Sequence, residues 1–379
     1  MCSILICGGA ETYNSGTLSV YIARPLKRYS MIESRQDYPF LTRLMIEMFN
    51  TGKLTRVTEM DIEAEFGYVG RLVYDDGVIR YFKGSNLDVN RHGSAEIVKD
   101  KGFAKYFMRR LGYETPQAQI FLAPLFFQRH KGNDATKSPE LTLQGVYKYV
   151  ADEIGYPCYI KPNGGAQGYG VYRCETKSEI DEALAWFDNA GYEVIIVEEA
   201  IHLPEYRIVV YKGEVICCYG RYPLSICGDG QSTARELLLA VDALYVRSGR
   251  PSAINLGDQR ITIKLAQQQL TLDSVLEKDR QIQIFDSANL SIGGTAKNFT
   301  DDLHPAWKAL AIEITRQFNL TLCGIDFCCA DISNPESVYS ILELNGSPIL
   351  SGFASLGAQE YEMTRNLYRR ILNREGESS

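Results

Sequence analysis

The sequence predicts a mixed α/β protein of two to three structural units, and three observations lead there. The chain has 379 residues, and about 150 residues per domain gives that count. Apolar residues make up 45% and charged residues 23%, which suits a packed core and not a disordered chain. Short apolar strand-like runs alternate with segments of helical spacing. Lys plus Arg is 40 and Asp plus Glu is 47, so the formal net charge of -7 argues against nonspecific nucleic-acid binding. No apolar run approaches the ~20 residues that cross a bilayer, and the most hydrophobic stretch, Leu237 to Val246, is broken by Asp242. Met1 to Gly9 has no basic flank and too short an apolar core for a signal peptide. It reads as a buried first strand, and the expected location is cytoplasmic.

Residues 1–95 read as a small α/β unit. Phe40, Leu41, Leu44, Met45 and Met48 fall at helical spacing within Tyr38 to Phe49. Asp76-Gly77 predicts a hairpin, because glycine supplies the positive φ of a tight turn. A helix is expected over Lys101 to Leu111, stopped by Gly112 and Pro116. Arg129 to Pro139 reads as a polar loop, and Leu141 to Ile154 as a helix ending at Gly155 and Pro157. Strand Cys158 to Lys161, a glycine loop, strand Val171 to Cys174, helix Thr176 to Phe187 and strand Glu193 to Glu198 follow.

A hairpin is expected across Arg207 to Tyr219. Asp229-Gly230 then turns the chain into a helix opened by Thr233-x-x-Glu236, a capping-box spacing. Trp307 to Phe318 fits an amphipathic helix. Strands Cys323 to Ala330 and Tyr339 to Leu344 precede a last helix over Gln359 to Leu372. The ten cysteines form no Cys-x-x-Cys pair, and the four histidines lack zinc spacing, so reduced core cysteines are expected.

Three segments carry chemistry. In Tyr159-Ile-Lys-Pro-Asn-Gly-Gly-Ala-Gln-Gly-Tyr-Gly-Val171 a lysine ends a strand and four glycines fill a seven-residue loop. Such a loop lets backbone N–H groups approach phosphate oxygens, with Lys161 as a point charge. It is neither a Walker loop nor a dinucleotide fingerprint, since a strand follows where those need a helix. A plain flexible hairpin loop is the alternative. In Val197-Glu-Glu-Ala-Ile201 a strand ends in Glu198 and Glu199, which can present backbone groups to an adenine, with Glu205 placed to accept from ribose hydroxyls. Read blandly, these are solvated strand-end charges. In Gly324-Ile-Asp-Phe and Leu342-Glu-Leu-Asn345 the period-two alternation puts Glu343 and Asn345 on one face, opposite Leu342 and Leu344. If these strands pair, Asp326, Glu343 and Asn345 converge as oxygen donors suited to Mg2+. Surface charge on an edge strand is the alternative, although buried carboxylates without a cation are costly.

On these residues the chain resembles the ATP-grasp carboxylate–amine ligases, over roughly residues 90–372. The resemblance implies an ATP-grasp fold, two α/β subdomains (about 96–200 and 201–372, within 96–379) that clamp ATP, preceded by a small α/β domain at 1–95. It implies Lys101 and Lys161 as the nucleotide lysines, and Gly164 to Gly170 as the phosphate lid, including Gly165, Gly168 and Gly170. Glu198, Glu199 and Ile201 match the adenine hinge, Glu205 the ribose acid, and Asp326, Glu343 and Asn345 the Mg2+ ligands. ATP and two Mg2+ ions are the implied cofactors, with Mn2+ able to substitute.

Similarity is greater to cyanophycin synthetase and the glutathione-forming ligases, on Gly228-Asp-Gly-Gln-Ser-Thr-Ala-Arg-Glu-Leu237, Asp286 to Thr295 and Asp301-Asp-Leu-His304-Pro. Asn289 and Gly294 lie in a piece resembling the loop that closes over the acyl acceptor. The resemblance does not take in cyanophycin synthetase's long N-terminal region or its Mur-ligase-like half. Asn345-Gly-Ser-Pro-Ile-Leu departs from the usual Asn-x-x-Pro-Gly, so cyanophycin is not implied as the substrate.

The expected activity is amide or peptide bond formation through an acylphosphate, from small-molecule carboxylate and amine substrates such as an amino acid or small peptide. An ATP-grasp kinase and a non-catalytic ATP-binding scaffold are the alternatives. Arg207 is expected either to hold the γ-phosphate or acyl oxyanion, or to pair with Glu205. His304 is expected to cap a helix, with a role as base for the amine as the other reading. No nucleic-acid or membrane partner is expected, and relatives point to a homo-oligomer, a dimer.

Overall fold

Helix α1 (Phe40–Asn50) opens the computed structural model, which describes residues 32–122, 143–165, 169–247, 254–286, 288 and 290–377. The strand expected at Met1 to Gly9 and the loop Arg129 to Pro139 lie outside the described residues. The apolar stripe of α1 shares a core with an antiparallel meander, β1 (Val57–Ile62), β2 (Val69–Tyr74) and β3 (Ile79–Lys83). Gly77 takes φ 79° in the predicted turn. Helices α2 (His92–Lys99) and α3 (Lys101–Arg110) follow; Asp100 caps α3 by accepting from the Phe103 N–H at 2.8 Å.

A four-stranded antiparallel sheet comes next, from β4 (Ala118–Leu122), β5 (Cys158–Pro162), β6 (Tyr172–Cys174) and β7 (Val194–Glu199), in the order β4-β7-β5-β6. It is covered by α4 (Leu143–Tyr149) and α5 (Lys177–Asn189) around buried Phe121, Ile160, Ile180 and Phe187. The helix expected over Leu141 to Ile154 changes winding to a π-helix at Val150–Ile154 before Gly155 ends it. The Thr176–Glu179 capping box fixes the start of α5.

The larger sheet begins with β8 (Glu205–Tyr211) and β9 (Glu214–Tyr222). An excursion follows with its own apolar core. It comprises β10 (Ser225–Cys227), α6 (Ala234–Arg247), α7 (Gln259–Gln267) and β11 (Gln281–Gln283). The chain returns through β12 (Thr295–Asn298), α8 (Pro305–Gln317), β13 (Leu322–Cys329), β14 (Tyr339–Asn345), α9 (Ser351–Ala354) and α10 (Ala358–Leu372). Its strand order is β12-β9-β8-β13-β14, antiparallel throughout.

One face of this sheet packs Ile208, Val210, Ile325 and Phe327 against Trp307 of α8. The other face is divided. Val209, Tyr211, Tyr219 and Leu322 lie under α10 and the N-terminal meander in one core. Period-two alternation carries the same face on to Arg207, Glu205 and Asp326. The charged end is the floor of the site, and the apolar end anchors it.

Two polar clasps join the N-terminal unit to this sheet. Asn90 donates to the carbonyls of Leu322 and Gly346 at 2.8 and 2.7 Å, and its Oδ1 accepts from Thr321 N–H at 2.7 Å. Asn373, past α10, donates to Lys53 O at 2.9 Å, and Arg374 pairs with Asp76 at 2.6 Å. The eight described cysteines are free, and all but Cys227 are buried. Burial pushes most of their thiols upward, as the sequence reading of core cysteines anticipates.

Candidate active site

Register builds the floor of the site. Arg207 of β8 lies opposite Asp326 of β13, and Asp326 lies opposite Glu343 of β14. On the other side Glu205 lies opposite Arg221 of β9. Directly opposed residues on antiparallel strands have Cβ atoms about 5 Å apart, so these side chains share one face. A bulge in β14 makes this arrangement possible: Asp326 pairs with Glu343, but Phe327 pairs with Ile341, leaving Leu342 over. Strict alternation would put Ile341 and Glu343 on one face. The extra residue lets Ile341 enter the core while Glu343 faces Asp326.

Asp326 is buried between two cations. Arg207 Nε donates to its Oδ1, and Arg221 Nη2 lies 2.6 Å from Oδ2. Burial alone would raise the Asp326 carboxyl, but the two guanidinium groups reverse this and hold it below the usual range. Arg207 itself is pushed up, burial being outweighed by Asp326. The suggestion that Arg207 pairs with Glu205 is therefore corrected: Glu205 is bound by Arg221, and Arg207 by Asp326. Burial raises the Glu205 carboxyl despite Arg221. Glu205 thus faces a cation here, and the ribose-acid expectation adds to that contact.

Gly324 makes room for Arg207. A Cβ at this position would lie 2.9 Å from Pro348 Cβ and 3.0 Å from Arg207 Nη1. Gly324→Val is expected to displace Arg207 from Asp326 and to lower stability by about 1–3 kcal/mol. Urea unfolding of the variant beside wild type checks this.

The opposite wall holds the lysines. Lys101 Nζ donates to the Gly165 carbonyl at 2.8 Å and lies 3.6 Å from Glu343 Oε2. Lys161, on β5, donates to Glu198 of β7. Burial would lower Lys161, but Glu198 and then Glu343 outweigh it, and the ammonium is held above its usual range. Glu198 is only 4% exposed, which excludes the solvated strand-end reading for it. Burial pushes its carboxyl up, but Lys105 and Lys161 more than offset that. Glu199 N–H donates to the Gln117 carbonyl at 2.9 Å, and its Oε1 accepts from Gln117 N–H at 3.1 Å. Ile201 follows, partly buried, beyond the end of β7. Lys101 stands 3.6 Å from Glu343, so the lysine wall meets the arginine-bearing floor there.

Of the glycine loop, Gly165 and Gly170 are described, Gly170 at φ 70° against Trp186, and Gly168 lies outside the described residues. Asn289 also lies outside them. Gly294 is buried just before β12, beside Gly293, whose carbonyl accepts from Tyr245 Oη at 2.7 Å. His304 caps α8, its Nδ1 accepting from Ala306 N–H at 3.1 Å.

Sequence reasoning missed Lys105 and Arg221. Lys105 reads as one more helix lysine, and only its spacing of four from Lys101 places both on one face. Arg221 sits in Tyr-Gly-Arg-Tyr at a strand end, and its role follows only from the β8–β9 register.

The donor set fits a hard cation. Asp326 and Glu343 offer carboxylates and Asn345 an amide oxygen, which here accepts from Ser347 N–H at 3.0 Å. Mg2+ takes few protein oxygens and fills the remainder with phosphate and water. Among the described residues no group of three or more His, Cys, Asp or Glu is placed to hold a metal ion by itself. Five cationic side chains, Lys101, Lys105, Lys161, Arg207 and Arg221, pair with four carboxylates, Glu198, Glu205, Asp326 and Glu343, a balance that favours an anionic ligand.

No protein-family model matches the chain. It is 28% identical over 304 residues to a glutathione biosynthesis bifunctional protein of Mannheimia succiniciproducens, covering 77% of this chain and 37% of that one. It is 32% identical over 233 residues to a cyanophycin synthetase of Synechocystis, covering 59% of this chain and 26% of that one. The chain thus spans between about a quarter and two fifths of the length of these relatives. Among solved structures, the bifunctional glutathione synthetase of Pasteurella multocida superimposes with a TM-score of 0.53 at 22% identity, over 88% of this chain and 44% of that one, which shows a shared fold. The chain is thus similar to these two kinds of relative and shares the fold of the bifunctional glutathione synthetase.

Proposed function

We infer that the chain is an ATP-dependent carboxylate–amine ligase that forms an amide or peptide bond through an acylphosphate. The observation that carries this is the row Arg207–Asp326–Glu343, with Lys101 3.6 Å from Glu343 and Lys161 paired with Glu198 on the adjoining sheet. The names of the relatives, a glutathione biosynthesis protein and cyanophycin synthetase, support an amino acid or small peptide as substrate. Residues 1–95 form a preceding domain on this reading, and 96–200 and 201–372 form the two jaws, in a cytoplasmic dimer.

Each residue then has a task. Lys101, Lys161 and the Gly165–Gly170 backbone bind the phosphates; Glu198, Glu199 and Ile201 line the base; Glu205 and Arg221 lie toward the ribose. Asp326, Glu343 and Asn345 would hold Mg2+, which would neutralise charge on the phosphates. The substrate carboxylate attacks the γ-phosphorus and ADP leaves; the amine then attacks the acyl carbon and phosphate leaves. Arg207 stabilises the charge that develops on the transferred group. Asn289 and Gly294 are assigned to the acceptor by the resemblance, and closure over the site would keep water from the acylphosphate.

The test is ADP release from a panel of amino acids and dipeptides, with hydroxylamine as trap. Hydroxamate formation, and ADP release that rises when amine is added, are expected. A stable phosphorylated product formed without amine would replace this reading with a kinase.

A further inference from the structure

Lys105 is the most buried cation of the cleft, 1% exposed, and no step above uses it. It stands one turn after Lys101 on the same face of α3. Its ammonium does two things. It donates to the carbonyl of Leu342, and it lies 3.4 Å from Glu198 Oε2. Leu342 is the residue left over by the β14 bulge, and that bulge turns Glu343 toward Asp326. Among the described residues Glu198 Oε2 has no hydrogen-bond partner, and the Lys105 ammonium stands 3.4 Å from it. A single buried side chain therefore spans from the lysine helix to the strand of the base wall and to the strand of the metal wall. A structural lysine would not need this: an apolar side chain fills the same volume without the cost of desolvating an ammonium.

We propose that Lys105 is a positioning residue for the nucleotide, which fixes the Glu198 carboxylate on one side and the β14 bulge on the other. The proposal rests on the ATP-grasp reading of the cleft. Lys105 touches neither phosphate nor metal; it acts through the groups that do. Without its charge, Glu198 keeps only Lys161 and pulls that ammonium away from the phosphates. Without its hydrogen bond, the Leu342 carbonyl loses its partner and Glu343 its aim.

The experiment is calorimetric titration of ADP in the presence of Mg2+ into the full chain, for wild type, Lys105→Met, Lys105→Gln, Glu198→Gln and the two double variants. Gln at 105 retains a donor for Leu342 but no charge, which guards against loss of folding in the Met variant. Both single Lys105 variants are expected to weaken ADP binding about 10- to 100-fold. In the Glu198→Gln background, removing the charge with Lys105→Gln is expected to change affinity less than about twofold, because its target is gone. A merely structural role would instead lower the unfolding midpoint and leave the affinity of the folded fraction unchanged, and that result overturns the proposal. Additive losses in the Lys105→Gln/Glu198→Gln variant overturn it too. If wild type binds no nucleotide, the ATP-grasp reading of the cleft fails and the proposal with it; if wild type binds and the Lys105 variants bind equally, only the proposal fails.

Discussion

Glu343→Ala is expected to abolish ADP formation, by about a thousandfold or more, while the chain stays folded. The two halves of that expectation have separate causes. Glu343 is 31% exposed at its side chain, and its cationic partner Lys101 stands 3.6 Å away, a contact too long for a hydrogen bond. Solvent screens such a pair, so its loss costs stability no more than about 1 kcal/mol. Functionally the carboxylate is placed between Asp326 and Lys101 and is the less encumbered of the two acidic donors. Deleting it leaves Lys101 without a counter-charge and any Mg2+ with one carboxylate that is already bound by two arginines. Circular dichroism and urea unfolding report the fold, and ADP release reports the chemistry. Turnover near the wild-type rate would remove Glu343 from the site.

Asp326→Asn should fail differently, losing stability and activity together. The isosteric amide leaves Arg207 and Arg221 buried side by side with no carboxylate between them. Breaking a buried pair by removing one partner costs about 3–5 kcal/mol, because the surviving charge stays desolvated. The sign of the pH dependence follows from the depressed Asp326 carboxyl. Its contribution is fully present above the unfolded carboxyl value of about 4 and is lost as pH falls through the lower folded value. The stability gap between wild type and Asp326→Asn is therefore widest above about pH 4 and closes on acidification. Urea midpoints at a series of pH values test this. A gap that is constant with pH would mean that the arginines do not depend on the ionised carboxylate.

The contrast between these two residues shows what the sequence made legible. Alternation in Leu342-Glu-Leu-Asn345 predicted the shared face of Glu343 and Asn345, because period two is a local property of an extended chain. Asp326 was recognisable as a carboxylate inside an apolar strand, and its burial is as expected. Its arginine partners were not legible. Arg221 reaches Asp326 only because β8 lies between β9 and β13, and strand order is not written in any one segment. The β14 bulge was equally hidden, since an alternation-based reading carries no sign of an inserted residue. Strand β4 was missed because Ala118 to Leu122 is five residues long and follows Pro116 closely, too short to separate from a loop. Helices fared better: α1, α3, α5, α8 and α10 stand within a few residues of their expected bounds, since caps and 3.6-residue spacing are again local.

The central claim is that β13 and β14 present Asp326, Glu343 and Asn345 to a metal–nucleotide held from across the cleft by Lys101 and Lys161. The most direct measurement is a crystal structure grown with Mn2+ and a non-hydrolysable ATP analogue, with anomalous data collected at the manganese edge. The account predicts anomalous peaks about 2.1 Å from oxygens of Asp326 and Glu343, with phosphates reaching both lysines. Anomalous density away from β13 and β14, or triphosphate bound with Lys101 and Lys161 turned from it, would contradict it.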